Sequence, residues 1–209
     1  MKNLIFDLGD VIIPIDLRAP LRNFAMMANL SEEATEALWK KHGIWQTHET
    51  GLIDDDTFRA AVRQIMGNRP DTPDHWADEV IDTTWNSVLL DLPIERIERI
   101  RALAPRYRVF LLSNTNAIHI REVNRRLVSL GQPTLEAIFE RVFYSHDLKL
   151  VKPDPGIFQR VLQEANLVAE ETAFFDDNAG NIEAAAALGI HGVHVVPPRT
   201  ILDYLDQIA

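Results

Sequence analysis

Leu4-Ile5-Phe6-Asp7-Leu8-Gly9-Asp10-Val11 decides the fold of this 209-residue chain. An apolar run stops on a carboxylate, a glycine and a second carboxylate follow, and Val11-Ile12-Ile13 resumes the apolar pattern. The opening run is too short for a helix and its side chains are bulky, so it reads as a buried strand. Asp7 then stands at the C-terminal end of that strand, the edge where open parallel α/β sheets bind ligands. On its own Asp7 reads equally well as a turn cap. Three later stretches decide between the two.

The chain carries a net charge of −10, and no basic face is legible, so a nucleic-acid partner is not expected. An anionic substrate would need local compensation from a lysine, a helix N-terminus or a metal cation. The absence of cysteine excludes disulfides, thiol catalysis and thiolate metal sites. Lys2 precedes an apolar stretch, but Asp7 and Asp10 interrupt it and no small-residue cleavage site follows, so it does not read as a signal peptide. No run approaches 18 apolar residues, so no membrane association is expected and the cytoplasm is the expected location.

Beyond Pro14 and Asp16, residues 17–90 carry helix signals and no good strand. The expected helices cover 19–29, a segment capped by Ser31 that carries Trp39 and Trp45, a segment capped by Asp54, and one opened by Thr72-Pro73. Asp54-Asp55-Asp56 reads as a helix N-terminus decorated with acids rather than a metal site. Trp39, Trp76 and Trp85 read as core of this helical segment or as its contacts with the sheet core. Past residue 90 the pattern alternates: a helix over 93–104, a strand over 107–112, a helix over 117–130 and a strand over 141–145. It continues with a helix from Asp154-Pro155 to Leu162, a strand over 172–175, an alanine-rich helix over 182–188, a strand over 193–196 and a helix over 200–208. This predicts an α/β fold, a doubly wound, Rossmann-like parallel sheet core (1–16 and 91–209) with an inserted four-helix cap (17–90). His191 and His194 lie three apart on a strand, point to opposite faces and make a poor metal pair.

Three strands end on polar groups: Asp7, Ser113-Asn114 and Asp176-Asp177. In a parallel sheet those ends share one edge, and Lys152, after the third strand, is within reach of it. Three carboxylates at one place would not all stay ionised without a cation. A set of oxygen ligands without His or Cys suits Mg²⁺, which often bridges to a phosphate. A carboxylate with a free oxygen can attack phosphorus, while Lys152 and Ser113 hold the oxygens of the transferring group. The constellation is that of a phosphoryl-transfer site.

Four stretches, Phe6-Asp7-Leu8-Gly9-Asp10-Val11, Leu112-Ser113-Asn114-Thr115-Asn116, Lys152-Pro153-Asp154-Pro155-Gly156-Ile157-Phe158 and Phe174-Phe175-Asp176-Asp177-Asn178, resemble in order the motifs of the haloacid dehalogenase (HAD) superfamily. The helical segment stands where subfamily I carries its cap. Within the family the pattern is similar to small bacterial sugar phosphatases, in particular the alpha-D-glucose-1-phosphate phosphatase branch. Trp45-Gln46-Thr47-His48-Glu49-Thr50-Gly51 resembles their cap loop. The resemblance implies an enzyme, a Mg²⁺-dependent phosphoric monoester hydrolase acting on a small phosphorylated metabolite such as a hexose 1-phosphate through an aspartyl-phosphate. It implies Asp7 as nucleophile and metal ligand, the Gly9 carbonyl, Asp176 and Asp177 as further metal ligands, Ser113, Asn114 and Lys152 as phosphate-binding groups, and Asn181 around them. Trp45, His48 and Glu49 are the candidate substrate contacts. A monomer or homodimer is expected.

One departure from the family pattern bears on activity. Most phosphatases of the family place an acid–base Asp two residues after the nucleophile, and here that residue is Gly9. The proton would then come from water, from Asp10, or from a cap residue such as His48 or Glu49. General acid catalysis contributes about 10²–10⁴-fold, so the alternatives are a weak or inactive metabolite-binding protein or another chemistry of the family. Dehalogenation needs no metal, which the Asp176-Asp177 pair argues against, and phosphonate cleavage would need a cap lysine such as Lys40 or Lys41.

Overall fold

Among the described residues of this computed structural model (1–68 and 75–207), five strands form one parallel sheet. They are β1 (Asn3–Phe6), β2 (Arg108–Ser113), β3 (Arg141–Tyr144), β4 (Thr172–Asp176) and β5 (His191–His194), in the order β3-β2-β1-β4-β5. β1 is central. Its Phe6 registers with Leu111 on one side and Phe175 on the other. Side chains alternate across a strand, and the alternation here splits the core into two layers. Leu4 and Phe6 of β1, Val109 and Leu111 of β2, and Ala173 and Phe175 of β4 face one layer. There they meet α6 (Ile94–Leu103), α7 (Ala117–Ser129), α8 (Leu135–Ile138) and α12 (Ile201–Leu205). Ile5, Phe110, Leu112 and Phe174 face the other, against α10 (Pro155–Glu164) and α11 (Ala179–Ala186).

Between β1 and β2 lies a helical insert: α1 (Ala19–Ala28), α2 (Glu32–His42), α3 (Ile44–Glu49), α4 (Asp55–Ile65) and α5 (Asp78–Trp85). It has a core of its own, built from Phe24, Trp39, Ile44, Phe58, Val62, Trp76, Ile81 and Trp85. Trp85 is the hub, with ring centroids 5.3 Å from Trp39, 5.0 Å from Phe58 and 4.8 Å from Trp45. Ile118 of α7 joins this cluster and ties the insert to the sheet layer.

Among its described residues the insert therefore has five helices where the sequence pattern suggests four. Gly43 adopts φ +59° and closes α2, so Trp45 falls in a separate short helix that begins at Ile44. Ser31 and Asp54 cap as expected, their side chains accepting from Ala34 N at 3.2 Å and Thr57 N at 2.8 Å. Thr72-Pro73 lies outside the described residues, and α5 starts later, at Asp78. α11 starts earlier than the alanine run, because Asn178 caps it through Gly180 N at 2.9 Å. β5 lies two residues earlier than the Val193–Val196 run; its register pairs His191 with Ala173. Gly192 permits this position, since a Cβ there would come within 2.6 Å of Ile182 Cγ2. Two four-residue helices, α8 and α9 (Ser145–Leu148), go beyond the pattern; α9 follows β3 directly at the carboxyl edge. Among the described residues no helix is long and apolar enough to cross a membrane.

Candidate active site at the carboxyl edge of the sheet

Asp7 extends the ladder of β1 by one bond, its N–H donating to Phe175 O at 2.9 Å, and so points its carboxylate out of the sheet edge. Its neighbour across the ladder is Asp176, the last residue of β4. Between them stands Lys152. Its Nζ lies 2.8 Å from Asp7 Oδ1, 2.6 Å from Asp176 Oδ2 and 3.2 Å from Leu112 O. A lysine ammonium has three donors, and here each has an acceptor. Lys152 is only 5 % exposed, Asp7 8 % and Asp176 0 %, so this is a buried triad in which the ammonium faces two carboxyl groups.

The loop that delivers Lys152 is held by Asn114. The Asn114 amide donates to Lys152 O at 2.9 Å and accepts from Lys152 N at 2.9 Å. Both ends of this side chain are thus engaged by the lysine backbone, and Asn114 acts by positioning Lys152. Asp176 is fixed in the same manner. Its Oδ1 accepts from Asn178 N at 2.8 Å, and Asn181 Nδ2 donates to its two oxygens at 2.9 and 3.1 Å. Ser113 ends β2 beside Leu112 and is buried at the same edge. Asp177 is half-buried; its carbonyl meets His194 Nε2 at 2.8 Å, which gives β5 a part in shaping this turn.

Asp7, Asp176 and Asp177 each present an oxygen, all within 4.8 Å of one another. Burial pushes the Asp7 carboxyl up to about 7, with Lys152 pulling against it and Asp176 adding to it. Burial, then the Asp176 charge, also raises Asp177. Burial works against the Lys152 ammonium, but Asp7 and Asp176 outweigh it and raise the lysine above its usual value. Three carboxylates against one ammonium leave a formal excess of two negative charges. An oxygen-only donor set with that excess fits a hard divalent cation such as Mg²⁺.

Gly9 and Asp10 turn the chain away from β1. The Gly9 carbonyl accepts from Val11 N at 2.5 Å, which occupies one of its two lone pairs. A Cβ at position 9 would sit 3.1 Å from Ile15 Cδ1. Asp10 has φ +51°, and its Oδ1 accepts from Ile15 N at 3.0 Å. Its carboxylate therefore closes its own loop.

The three residues expected from the insert part company. Trp45 packs edge-on against Trp85 and Trp39. His48 is buried, stacks on Phe58 at 4.1 Å, and its Nε2 meets Asp55 Oδ1 at 2.9 Å. The other Asp55 oxygen takes Arg121 at 2.8 Å, so His48 belongs to a network between insert and α7. Those two partners outweigh the effect of burial and hold the Asp55 carboxyl down to about 2. Glu49 is different: its carboxyl hydrogen-bonds the Trp45 side chain and feels the charges of Asp7 and Lys152.

Ser145 and Thr115 are site residues that the sequence reading missed. Ser145 Oγ accepts from Thr115 N at 2.9 Å and lies 2.6 Å from Glu49 O, joining the insert to the sheet edge. The signal was the end of β3, which shares the edge with the other strand ends but carries no charge to draw attention.

The chain matches a family model described as hydrolase, haloacid dehalogenase-like hydrolase, over residues 1–189. It is 27% identical over 190 residues to D-ribitol-5-phosphate phosphatase of Bacteroides thetaiotaomicron, covering 90% of this chain and 89% of that one. Among solved structures, a HAD-family enzyme of B. thetaiotaomicron superposes with a TM-score of 0.89 at 32% identity, over 100% of this chain and 98% of that one. A wild-type structure of a HAD-family enzyme from the same organism, in complex with magnesium and inorganic phosphate, gives a TM-score of 0.85 at 33% identity, over 95% and 96% of the two chains.

Proposed function

The chain belongs to the haloacid dehalogenase-like hydrolase family and is a phosphatase; from that premise we propose that it hydrolyses a small sugar or polyol phosphate, such as a hexose 1-phosphate, through phosphorylation of Asp7. The observation that carries the reading is the Lys152 ammonium clamped 2.8 Å from Asp7 and 2.6 Å from Asp176 at the edge of the sheet. A nucleophile held against a fixed cation is arranged to meet an anion, and the cation then stabilises the charge that develops on the phosphoryl oxygens. The substrate class is supported by the relative that acts on D-ribitol 5-phosphate.

In this reading Asp7 Oδ attacks phosphorus, the bond to the leaving oxygen breaks, and water then hydrolyses the aspartyl-phosphate. Ser113 and Lys152 hold phosphoryl oxygens, while Asn114 fixes Lys152 and Asn181 fixes Asp176. Asp7, Asp176, Asp177 and the Gly9 carbonyl would hold Mg²⁺, which when bound neutralises charge on the carboxylates and the phosphoryl group. The magnesium in a relative's structure supports that choice of ion. We assign residues 1–16 and 91–209 to the catalytic core and 17–90 to a cap that closes over it. The test is hydrolysis of a panel of sugar and polyol phosphates and of 4-nitrophenyl phosphate, with Mg²⁺ and with chelator. Turnover that chelator abolishes and Asp7→Asn removes is expected; turnover indifferent to both would overturn the reading.

A further inference from the structure

Phosphate-ester cleavage needs a proton for the leaving oxygen and a base for the incoming water, and the groups around Asp7 are mostly committed elsewhere. The Lys152 ammonium faces Asp7 and Asp176, which raise it above its usual value and so hold its protons in place. The Asp10 carboxylate closes its own loop on Ile15 N. His48 stacks on Phe58 and its Nε2 takes Asp55 inside the insert.

We propose that the Glu49 carboxyl is the proton donor and acceptor of this site, carried to Asp7 by α3 of the helical insert. The proposal rests on the phosphatase reading above and adds a catalytic residue to it. Glu49 closes α3, and Trp45, one turn earlier, hydrogen-bonds its carboxyl. Its backbone is seated on the sheet edge: Ser145 Oγ lies 2.6 Å from Glu49 O, and the Lys149 ammonium donates to Gly51 O. The seat is close-packed, because Gly51 has φ +64° and a Cβ there would come within 2.0 Å of His146 O. The insert is thus pinned immediately beside the residue whose carboxyl feels Asp7 and Lys152. Burial, opposed by Trp45, raises that carboxyl above its usual value.

The steps balance. As Asp7 Oδ bonds to phosphorus, the phosphorus–oxygen bond to the leaving group breaks, and the Glu49 proton passes to that oxygen to release the alcohol. Water then attacks the aspartyl-phosphate, Glu49 takes a proton from it, and the Asp7–phosphorus bond breaks. Phosphate leaves, with Asp7 again a carboxylate and Glu49 again an acid.

The experiment is a leaving-group series with Mg²⁺ present: 4-nitrophenyl phosphate, phenyl phosphate and glycerol phosphate, for wild type, Glu49→Gln, Glu49→Asp and Asp10→Asn. Wild-type turnover that Asp7→Asn abolishes secures the phosphatase reading separately; its absence would overturn both. A general acid matters most where the leaving group is poor. Glu49→Gln is expected to lose about 10²–10⁴-fold in kcat/KM on phenyl and glycerol phosphate and less than about tenfold on 4-nitrophenyl phosphate. It should also show a burst of nitrophenolate, because hydrolysis of the phosphoenzyme loses its base. Glu49→Asp should restore part of the loss, and Asp10→Asn should keep the wild-type leaving-group dependence. Equal losses across the series in Glu49→Gln and Glu49→Asp, with thermal midpoints near wild type, would reduce Glu49 to a substrate contact and overturn the proposal. So would wild-type behaviour of Glu49→Gln.

Discussion

At the scale of single residues, Lys152 is the cation of the buried triad. It is the cation between two buried carboxylates, so its removal leaves Asp7 and Asp176 facing each other. Breaking a buried ion pair by removing one partner costs about 3–5 kcal/mol. Lys152→Met is expected to lose activity and about 3 kcal/mol of stability, read by urea unfolding; an unchanged midpoint would show that the triad contributes nothing net. His119 gives a pH signature. It is buried, its Nδ1 meets Asn86 Oδ1 at 2.8 Å and its ring stacks on Trp85 at 5.0 Å. Burial, aided by His48, pushes it from 6.5 down to about 3. Between those values the unfolded chain binds a proton that the folded chain refuses, so stability falls as pH falls through that window. Urea midpoints of His119→Gln should decline less between pH 6.5 and 4 than those of wild type, and parallel declines would contradict the assignment.

At the scale of elements, two glycines of the insert do different things. Gly43 ends α2 at φ +59° with open space around its Cα, so Gly43→Ala carries backbone strain alone, roughly 1 kcal/mol. Gly51 has both strain and a collision with His146 O. Gly51→Ala should therefore unseat the loop that carries Glu49, lowering activity far more than Gly43→Ala does. Equal effects in a paired assay of stability and turnover would contradict that distinction. The same elements show how far the fold was legible. The strands stood out because Leu4, Phe6 and Ile5 alternate between two apolar layers and no polar residue interrupts them. The break at Gly43 was hidden because apolar spacing continues from Leu38 and Trp39 into Ile44 and Trp45. α8 and α9 are four residues each, too short to show a period.

At the scale of the whole molecule, the insert is seated on the sheet edge beside the buried triad. Asp7 is 8 % exposed and Lys152 5 %, and in the proposed reaction the insert opens to admit substrate and closes over it. The contacts that would open are Ser145 to Glu49 O at 2.6 Å, Lys149 to Gly51 O, and Arg121 to Asp55 at 2.8 Å. Amide exchange in residues 49–51 and 145–149 should slow when Mg²⁺ and phosphate bind, and identical exchange with and without them would argue against closure. Sequence exposed the charged half of this site, since Asp7, Asp176 and Asp177 follow buried strands, where a carboxylate needs a reason. It did not expose the seat made by Ser145, Thr115 and Gly51, because an uncharged side chain at a strand end looks like any turn. Nor could it separate Glu49 from His48: adjacent residues on a helix point in different directions, and the packing of α3 sets His48 on Phe58 and Asp55 while the Glu49 carboxyl feels the charges of Asp7 and Lys152.

In the proposed reaction Asp7 itself takes the phosphoryl group. The direct measurement is acid quench during turnover of 4-nitrophenyl phosphate with Mg²⁺, followed by peptide mapping. A phosphoryl group on the peptide containing Asp7, absent from Asp7→Asn, is the predicted result. Steady turnover by the Asp7→Asn protein, or a phosphoryl group on a different peptide, would contradict it.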